Sequence, residues 1–334
     1  MVILDNNFLS RGFSGLYNIG NTCYLNAVLQ SLSNLVPLTK YFHENDMNKF
    51  SKNKYYDIMK NYQLIITELW KENIPLGPKS FKRYIDMHYP KYSDSNQHDS
   101  HEFLVDLLES LNIALSKKAL DIKISDFSSK HHLEAKKIWR SYFKCNNSII
   151  SDLFYGQFIR EFRCKSCFNS YFNYDPFSSL ILSYANPDPI SIIDLINFSY
   201  YNRDYVQSKC SKCSEKYNEE HEVTTRIYKL PEVLVVVVKR FNNYLTKNSV
   251  NIKVDEILDL SDITAGNSDE SVFYDLSSII CHSGRTITSG HYYSIIRRNN
   301  AYYQFDDSII SEYDIKSLDG TSPYILFYTR KNSK

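Results

Sequence analysis

The sequence predicts an α+β fold, and three observations indicate it. The first half carries apolar side chains at helical spacing, whereas the second half, from about Leu153, carries the alternating and β-branched runs typical of strands. With 334 residues, of which 43 % are hydrophobic and 23 % charged, the chain has a globular composition and can bury a large core. Because helices come first and strands later, the pattern favours α+β over a doubly wound parallel sheet, in which the two would alternate.

Four helices are predicted in the first half of the chain. They cover about residues 24–32, 55–70, 99–111 and 134–143. Pro37 lies just past the end of the first helix, a position where a proline commonly follows a helix. The third helix begins near Asp99. No internal repeat or low-complexity linker separates these segments.

Strands dominate the second half. The segment FYGQFIREFRC alternates with period two and ends at a C-x-x-C pair, which predicts a half-buried strand. The apolar run LVVVVKRF (234–241) predicts a strand buried on both faces. Further strands are predicted for about 272–282, 291–298, 301–310 and 323–330, separated by Gly, Asn and Ser clusters.

Charge and hydropathy exclude several classes of function. The formal net charge is +1, without the Lys/Arg stripe of a nucleic-acid binder. The first residues lack a signal-peptide pattern, neither end carries a lipidation motif, and the longest apolar run, around Val233 to Val238, is too short to cross a bilayer. We therefore expect an intracellular protein of the cytoplasm or nucleus, with no membrane or nucleic-acid partner.

Seven cysteines divide into two groups. They are Cys23, Cys145, Cys164, Cys167, Cys210, Cys213 and Cys281. An odd number in an unsecreted chain argues against a disulfide framework. The two C-x-x-C pairs, 164/167 and 210/213, suit a structural four-cysteine zinc site. A redox pair and four unrelated thiols are the alternatives, although a redox C-x-x-C normally opens a helix and neither pair has that context. Cys145 and Cys281 are interpreted as core residues.

Cys23 lies in a context suited to chemistry. Gly20, Asn21 and Thr22 make a polar turn, and either Asn21 or Thr22 can cap the helix that starts beside Cys23. The free N–H groups and the positive dipole end at a helix N-terminus favour the thiolate, which is the nucleophilic form. Asn18, in the same loop, could donate its amide to a developing oxyanion. The alternative is an inert buried cysteine, which the polar, Gly-rich turn disfavours.

A cysteine nucleophile needs a base, and the chain offers nine histidines. Five are interpreted as surface residues: His43, His88, His131, His132 and His221. His291 is preferred, because Gly290 allows close approach of a substrate and the aromatic Tyr292 can wall the site. His282, in the adjoining strand, is its competitor.

The segment Phe305-Asp306-Asp307 offers an acceptor for the base. A catalytic histidine needs such a group on its second nitrogen, which fixes the tautomer. An antiparallel hairpin would bring either Asp306 or Asp307 beside His291.

These segments resemble one known family, the ubiquitin-specific proteases. GLYNIGNTCYLNAVLQSL (15–32) closely resembles the cysteine box of that family, and SGHYYSIIRR with YYQFDDSII resembles its histidine box. QHDSHEF (97–103), ISDLFYGQF (150–158) and KLPEVLVVVVKRF (229–241) are similar to three intermediate signatures. The resemblance covers about residues 13–330, preceded by a short extension, 1–12.

The resemblance implies a papain-like fold in a single catalytic domain. The thumb would cover about 13–145, the fingers about 153–226 with a zinc ribbon at their tips, and the palm about 230–330. Ubiquitin would sit on the fingers, with its C-terminal tail between thumb and palm. The partners implied are ubiquitin, polyubiquitin chains and ubiquitinated proteins, and we expect a monomer.

The resemblance also assigns roles to residues of this chain. It implies Cys23 as nucleophile, His291 as base, Asp306 as orienter and Asn18 as oxyanion donor, with help from Asp307. The tail channel would be lined by Gln97, Asp99, Tyr292 and Gly290, under a blocking loop at 283–289. Zn²⁺ would be structural, bound by Cys164, Cys167, Cys210 and Cys213, and no catalytic cofactor is implied.

Two departures and three rival functions accompany this interpretation. His98 replaces the second Gln of the family's Gln-Gln-Asp segment, and Phe168 stands where a Gly often follows the first cysteine pair. The first rival is a thiol protease for another ubiquitin-like modifier. The second is a non-catalytic ubiquitin-binding scaffold, which would require a broken triad. The third, a zinc module that binds nucleic acid, is opposed by the neutral charge.

Overall fold

The structure, a computed structural model, describes residues 10–118, 130–144, 146–183, 190–201, 203–241, 246–265, 272–286 and 289–331. Most of the expected extension at 1–12, the residue Cys145 and part of the expected blocking loop lie outside these residues. In the described part of the chain no helix is long and apolar enough to cross a membrane.

The helices fall mainly in the first half. They are α1 (Cys23–Ser33), α2 (Val36–Glu44), α3 (Tyr56–Leu69), α4 (Lys79–His88), α5 (Ser100–Ala114), α6 (Lys130–Tyr142), α7 (Ile149–Phe154) and the short α8 (Ile192–Ile196). Every side chain of α1 is buried, because the helix packs against α5 on one side and a sheet on the other. The four predicted helices correspond to α1, α3, α5 and α6.

The strands form two principal sheets. The strands are β1 (Lys117–Lys118), β2 (Asn146–Asn147), β3 (Gly156–Cys164), β4 (Ser170–Phe177), β5 (Leu180–Leu182), β6 (Ile190–Ser191), β7 (Asp204–Cys210), β8 (Ser214–Lys229), β9 (Val233–Val238), β10 (Ile252–Lys253), β11 (Ile257–Asp259), β12 (Phe273–Thr286), β13 (Ser289–Arg298), β14 (Ala301–Asp306), β15 (Ile309–Tyr313) and β16 (Pro323–Arg330). The larger sheet runs β15-β14-β13-β12-β16-β9-β5, with β11 paired to β12. The four-stranded sheet runs β4-β3-β8-β7, with antiparallel pairs throughout.

The strand β9 divides two hydrophobic cores. Its alternate residues Val233, Val235 and Val237 pack into a core shared with the first helices. The residues between them, Leu234, Val236 and Val238, pack into a second core beneath the larger sheet. The prediction of a strand buried on both faces is therefore confirmed, and the cause is a layer of side chains on each side of it.

The helices α2, α4, α7 and α8 escaped prediction. Pro37 does not end a helix here but lies in the first turn of α2, where its fixed φ and missing N–H are tolerated. The helix α4 buries only Phe81 and Ile85, so its apolar periodicity is too sparse to detect.

The segment before α1 is held against the end of β14, and this contact assembles the site. Leu16 N donates to Asp307 O at 2.8 Å, and Tyr17 N donates to Leu76 O at 2.9 Å. A Cβ on Gly15 would lie 2.4 Å from Ser308 O, so only glycine lets the two backbones approach this closely. Residues that are far apart in sequence are thereby placed around the N-terminus of α1.

Candidate active site

Cys23 is the first residue of α1 and is 2 % exposed. Thr22 occupies the N-cap position, but its side chain makes no capping bond. Its hydroxyl instead accepts from Ile19 N at 3.0 Å, and Asn21 donates to Ser95 O at 2.7 Å. The prediction that Asn21 or Thr22 caps the helix is therefore wrong, because both side chains are engaged within the loop or across it.

Asn18 organises that loop. Its Oδ1 accepts from Gly20 N at 3.2 Å and from Thr22 N at 3.1 Å, so the amide closes the turn leading to Cys23. Its Nδ2 donates to Asp307 Oδ2 at 3.0 Å. An amide nitrogen carries two protons, so one remains for an oxyanion formed beside Cys23.

His291 lies between Cys23 and Asp306. Its Nε2 is 2.6 Å from Asp306 Oδ1, and the Cys23 side chain lies close enough to act on the charge of the ring. Because Asp306 occupies Nε2, the other ring nitrogen is the one available to sulfur. Asp306, rather than Asp307, is therefore the carboxylate beside the histidine.

The electrostatics favour a charged histidine. The hydrogen bonds to Asp306 and then to Cys23 raise the pKa of His291 to about 10. The same hydrogen bond from His291 lowers the pKa of Asp306 below its usual value. An imidazolium held by a carboxylate can stabilise a thiolate and later give up a proton.

His282, the competing base, is buried where it could not act. Its side chain is fully buried, and burial lowers its pKa to about 4. Neither ring nitrogen has a hydrogen-bond partner among the described residues. The ring packs against Phe241 and Tyr292 at 5.2 and 4.7 Å between centroids. The geometry therefore favours His291, as the sequence predicted.

Asp307 is held by two amides. Besides Asn18, the side chain of Asn26 donates its Nδ2 to Asp307 Oδ1 at 2.8 Å. Asn26 is 2 % exposed on α1, one turn after Cys23, and sequence reasoning missed it. The available signal was a polar residue on a helix whose other positions are mostly apolar. Ligand atoms of His291, Asp306 and Asp307 lie within 4.8 Å of one another, a spacing that would also admit a cation.

Two of the expected tail-channel residues bond to each other, and a third bonds elsewhere. Gln97 pairs with the backbone of Gly290 through two hydrogen bonds of 2.7 and 2.8 Å. Asp99 caps α5 by accepting from His101 N, and Tyr324 donates to both its oxygens. Burial raises the pKa of Asp99.

Gly290 and Tyr292 are both closely packed. A Cβ on Gly290 would lie 2.4 Å from His282 Nε2, so an internal contact already requires glycine there. Tyr292 is 1 % exposed, and its ring belongs to the core shared with the first helices.

Two further histidines have defined surroundings. His98 Nε2 lies 2.7 Å from Asp94 Oδ1, and the ring makes edge-to-face contacts with Tyr24 and Tyr92. His221 is fully buried, which corrects its interpretation as a surface residue. It lies on β8, paired on both sides within the four-stranded sheet, so its polar sequence context was misleading.

The four paired cysteines meet at one end of the four-stranded sheet. Their Sγ atoms lie within 4.8 Å of one another, with Cys164–Cys213 and Cys167–Cys210 each at 3.6 Å. Zn–S bonds of about 2.3 Å in a tetrahedron require sulfur atoms about 3.8 Å apart. Backbone N–H donors of Lys212 and Cys213 lower the pKa of Cys210 to about 6, whereas hydrogen bonding to Cys167 and burial raise the pKa of Cys213. The donor set fits zinc.

Phe168 follows the first cysteine pair in a left-handed conformation. Its φ is 58°, and its N–H donates to Cys164 O at 2.9 Å to close the turn. Glycine adopts this conformation without strain, which explains why a glycine suits the position. The phenylalanine leaves the turn intact.

Comparison with known proteins identifies the family. The family profile described as "Ubiquitin carboxyl-terminal hydrolase" matches residues 14–328. The chain belongs to this family, which confirms the resemblance in its cysteine and histidine boxes. It is 31 % identical to ubiquitin carboxyl-terminal hydrolase Usp2 of Drosophila melanogaster over 96 % of this chain and 35 % of that protein. It is 28 % identical to ubiquitin carboxyl-terminal hydrolase 2 of Rattus norvegicus over 97 % of this chain and 55 % of that protein.

Solved structures share the fold. The SAGA DUB module Ubp8/Sgf11/Sus1/Sgf73 bound to monoubiquitin matches with a TM-score of 0.76 at 20 % identity, over all of this chain and 72 % of the matched one. The same module bound to ubiquitin aldehyde gives 0.75. The α+β, papain-like prediction is therefore confirmed. The chain spans about a third to a half of the length of the two curated relatives from Drosophila melanogaster and Rattus norvegicus.

Proposed function

We propose that this chain is a thiol-dependent deubiquitinase that hydrolyses the bond after the C-terminal glycine of ubiquitin. The observation that carries the proposal is the arrangement of Cys23, His291 and Asp306, in which a cysteine at a helix N-terminus lies beside a histidine held at 2.6 Å by a carboxylate. The names of its relatives support ubiquitin as the modifier.

In the proposed reaction the Cys23 thiolate attacks the carbonyl carbon of the terminal glycine, forming a C–S bond and an oxyanion. Asn18 donates to that oxyanion, and Asp307 holds the Asn18 amide in place. The C–N bond then breaks, and the His291 imidazolium gives its proton to the departing lysine amine. Water attacks the thioester, His291 accepts its proton, and the C–S bond breaks to release the ubiquitin carboxylate and the thiolate.

The domain organisation follows from the same proposal. The helical region to about residue 145 serves as thumb, about 153–226 as fingers and about 230–330 as palm. The segments that hold Gln97, Asp99, Gly290 and Tyr292 border the path of the tail. Cys23 is nearly buried, and such restricted access suits a glycine, which has no side chain to collide with the walls.

Zinc and partners complete the proposal. Zn²⁺ bound by the four paired cysteines would join the ends of β3 and β7 and supply structural rigidity only. The partners are ubiquitin, its chains and ubiquitinated proteins, bound by a monomer. The described cysteines are free thiols, which supports an intracellular location in cytoplasm or nucleus.

The test is a panel of modifier probes, each carrying a C-terminal electrophile, applied to the protein and to Cys23→Ser. A Cys23-dependent adduct with the ubiquitin probe is expected. An adduct with a different modifier alone would replace ubiquitin as the substrate. Binding of ubiquitin without an adduct to any probe would overturn the enzymatic proposal in favour of a scaffold.

A further inference from the structure

Gln97 makes a two-point contact between the helical region and the larger sheet. It precedes α5, yet its Nε2 donates to Gly290 O at 2.7 Å, and Gly290 N donates to its Oε1 at 2.8 Å. Both polar ends of one side chain therefore bind both polar groups of one backbone residue. Such a planar pairing fixes orientation as well as distance.

The residue so held is the neighbour of His291. On its other side, the backbone at Gly290 pairs with Gly284 in β12 and lies against His282. A Cβ at Gly290 would meet His282 Nε2 at 2.4 Å and Ser283 O at 2.6 Å, so the Gly290 backbone is tightly packed against β12 on that side. Gln97 binds the Gly290 backbone on the opposite side. The backbone next to His291 is therefore held between Gln97 and β12.

We propose that Gln97 is a positioning residue, which sets the His291 ring against Cys23 through the backbone of Gly290. The proposal rests on the proposed function, since it concerns the same catalytic histidine. Gln97 is itself tied to α5, because Asp99 two residues later caps that helix. Asp99 also accepts a hydrogen bond from Tyr324 of β16, a second contact between this helix end and the larger sheet. A displacement of the α5 N-terminus relative to the sheet is thus transmitted to the histidine.

The amide retains one N–H and one lone pair beyond these two bonds. A direct contact with a ubiquitin tail is therefore the rival role for Gln97, and the two roles differ in what they change. A tail contact stabilises bound ubiquitin. A positioning contact leaves binding alone and alters turnover, because misplacing a catalytic group by about 1 Å can cost on the order of 100-fold in rate.

The experiment uses Gln97→Met, which keeps the length and removes both bonds, and Gln97→Glu, which keeps the acceptor for Gly290 N but loses the donor. Turnover of a fluorogenic ubiquitin C-terminal amide gives kcat and KM. Ubiquitin affinity is measured separately in the Cys23→Ala background. We expect kcat to fall roughly 10- to 100-fold in both variants, with KM and the affinity for ubiquitin within about twofold of the parent.

A pH series separates positioning from general structural damage. A protonated glutamate regains an O–H that can donate to Gly290 O, so kcat of Gln97→Glu should rise relative to Gln97→Met as the pH falls toward about 4.3, the ordinary glutamate pKa. Gln63→Met is the matched control, since Gln63 also donates to a backbone carbonyl, Phe42 O at 2.8 Å, but in the helical region away from His291. Gln63→Met should change neither kcat nor KM.

The outcomes are distinct. Reduced ubiquitin affinity with unchanged kcat would assign Gln97 to the tail and overturn the proposal, as would wild-type kcat in both variants. A variant that retains ubiquitin affinity in the Cys23→Ala background is folded, so lost kcat there cannot be attributed to unfolding. If the wild-type protein itself shows no turnover, the proposed function fails rather than this inference.

Discussion

Individual side chains in the candidate site are positioned mainly by amides. Asn18 closes the turn before Cys23, Asn26 and Asn18 hold Asp307, and Gln97 holds Gly290. A carboxamide does not titrate, so these contacts keep their geometry across the pH range in which a thiol and an imidazole exchange protons. The charged groups are thereby confined to Cys23, His291 and two adjacent aspartates.

Asn18→Ala removes the proposed oxyanion donor. We expect kcat/KM to fall on the order of 100- to 1000-fold, less than for Cys23→Ala, which removes the nucleophile. Steady-state hydrolysis of a fluorogenic ubiquitin amide measures the difference. Asn45→Ala, which removes an amide bonded to Tyr41 O at the end of α2, serves as control. Equal loss in the two alanine variants at 18 and 45 would rule out the oxyanion role.

Gly290→Ala tests how closely the backbone is packed beside the catalytic histidine. The added methyl would meet His282 Nε2 at 2.4 Å and Ser283 O at 2.6 Å, so β13 must move at His291. We expect kcat to drop by about 10-fold or more. Gly77→Ala is the control, because its Cβ would have only Lys79 Cγ within reach, at 3.9 Å. Wild-type kcat for Gly290→Ala would contradict the proposed packing.

Sequence reasoning singled out the proposed nucleophile and base more readily than the residues that hold them in place. Cys23 and His291 lie in short polar segments beside helix and strand patterns, where a turn or a glycine gives a local signal. Asn26 gives only the weak signal of a polar residue on a mostly apolar helix, because its partner Asp307 is brought to it by folding from the other end of the chain. His221 was misassigned for the same reason: its burial is decided by neighbouring strands, not by the polar residues beside it in sequence.

At the scale of elements, predictability followed the strength of the periodic pattern. The helices α1, α3 and α5 carry regularly spaced apolar residues. The bounds of α1 and α3 were predicted to within one residue, and the end of α5 to within three. The helix α2 was missed because Pro37 reads as a stop signal, although it equally suits a first turn. Strand order in the sheets could not be predicted, since it depends on long-range pairing that leaves no local pattern.

The pairing of β13 with β14 carries the ion pair of His291 and Asp306, which gives stability a pH dependence. The pKa of His291 is raised to about 10, so its contribution is complete below the ordinary value of 6.5 and is lost as the pH rises toward 10. The pKa of Asp306 is lowered, so its contribution is complete above the ordinary value of 3.8 and is lost on acidification. The pair therefore stabilises most between about 3.8 and 6.5.

Asp306→Asn is expected to lower Tm most near pH 5 to 6, with the difference from wild type shrinking steadily toward about pH 10. Thermal melts across that range measure it. Asp46→Asn, whose carboxylate accepts only from Asn48 N, is the control and should show no such trend. A Tm difference that stays constant or grows with rising pH would show that the ion pair does not form as described.

The whole molecule is two cores joined by β9, with the four-stranded sheet extending from them. The residues proposed to be catalytic belong to the first core and the larger sheet, whereas the cysteine cluster lies at the ends of β3 and β7. Loss of the cysteine cluster should therefore affect catalysis only by weakening the binding of a large substrate. This separation makes the roles of metal and nucleophile independently testable.

Metal removal tests that separation. Purified protein is expected to contain about one zinc per chain, and Cys164→Ser should abolish it, because three thiolates and a hydroxyl bind zinc far less tightly. We expect Cys164→Ser to raise KM for ubiquitin substrates, while the rate at which a small alkylating agent modifies Cys23 stays near wild type. Ser166→Ala, between the paired cysteines but bonded to Glu219, is the matched control and should keep its zinc. If Cys164→Ser slowed alkylation of Cys23 as strongly as it weakened turnover, the cluster would be part of the catalytic unit, and the four-stranded sheet could not be regarded as a separate binding element.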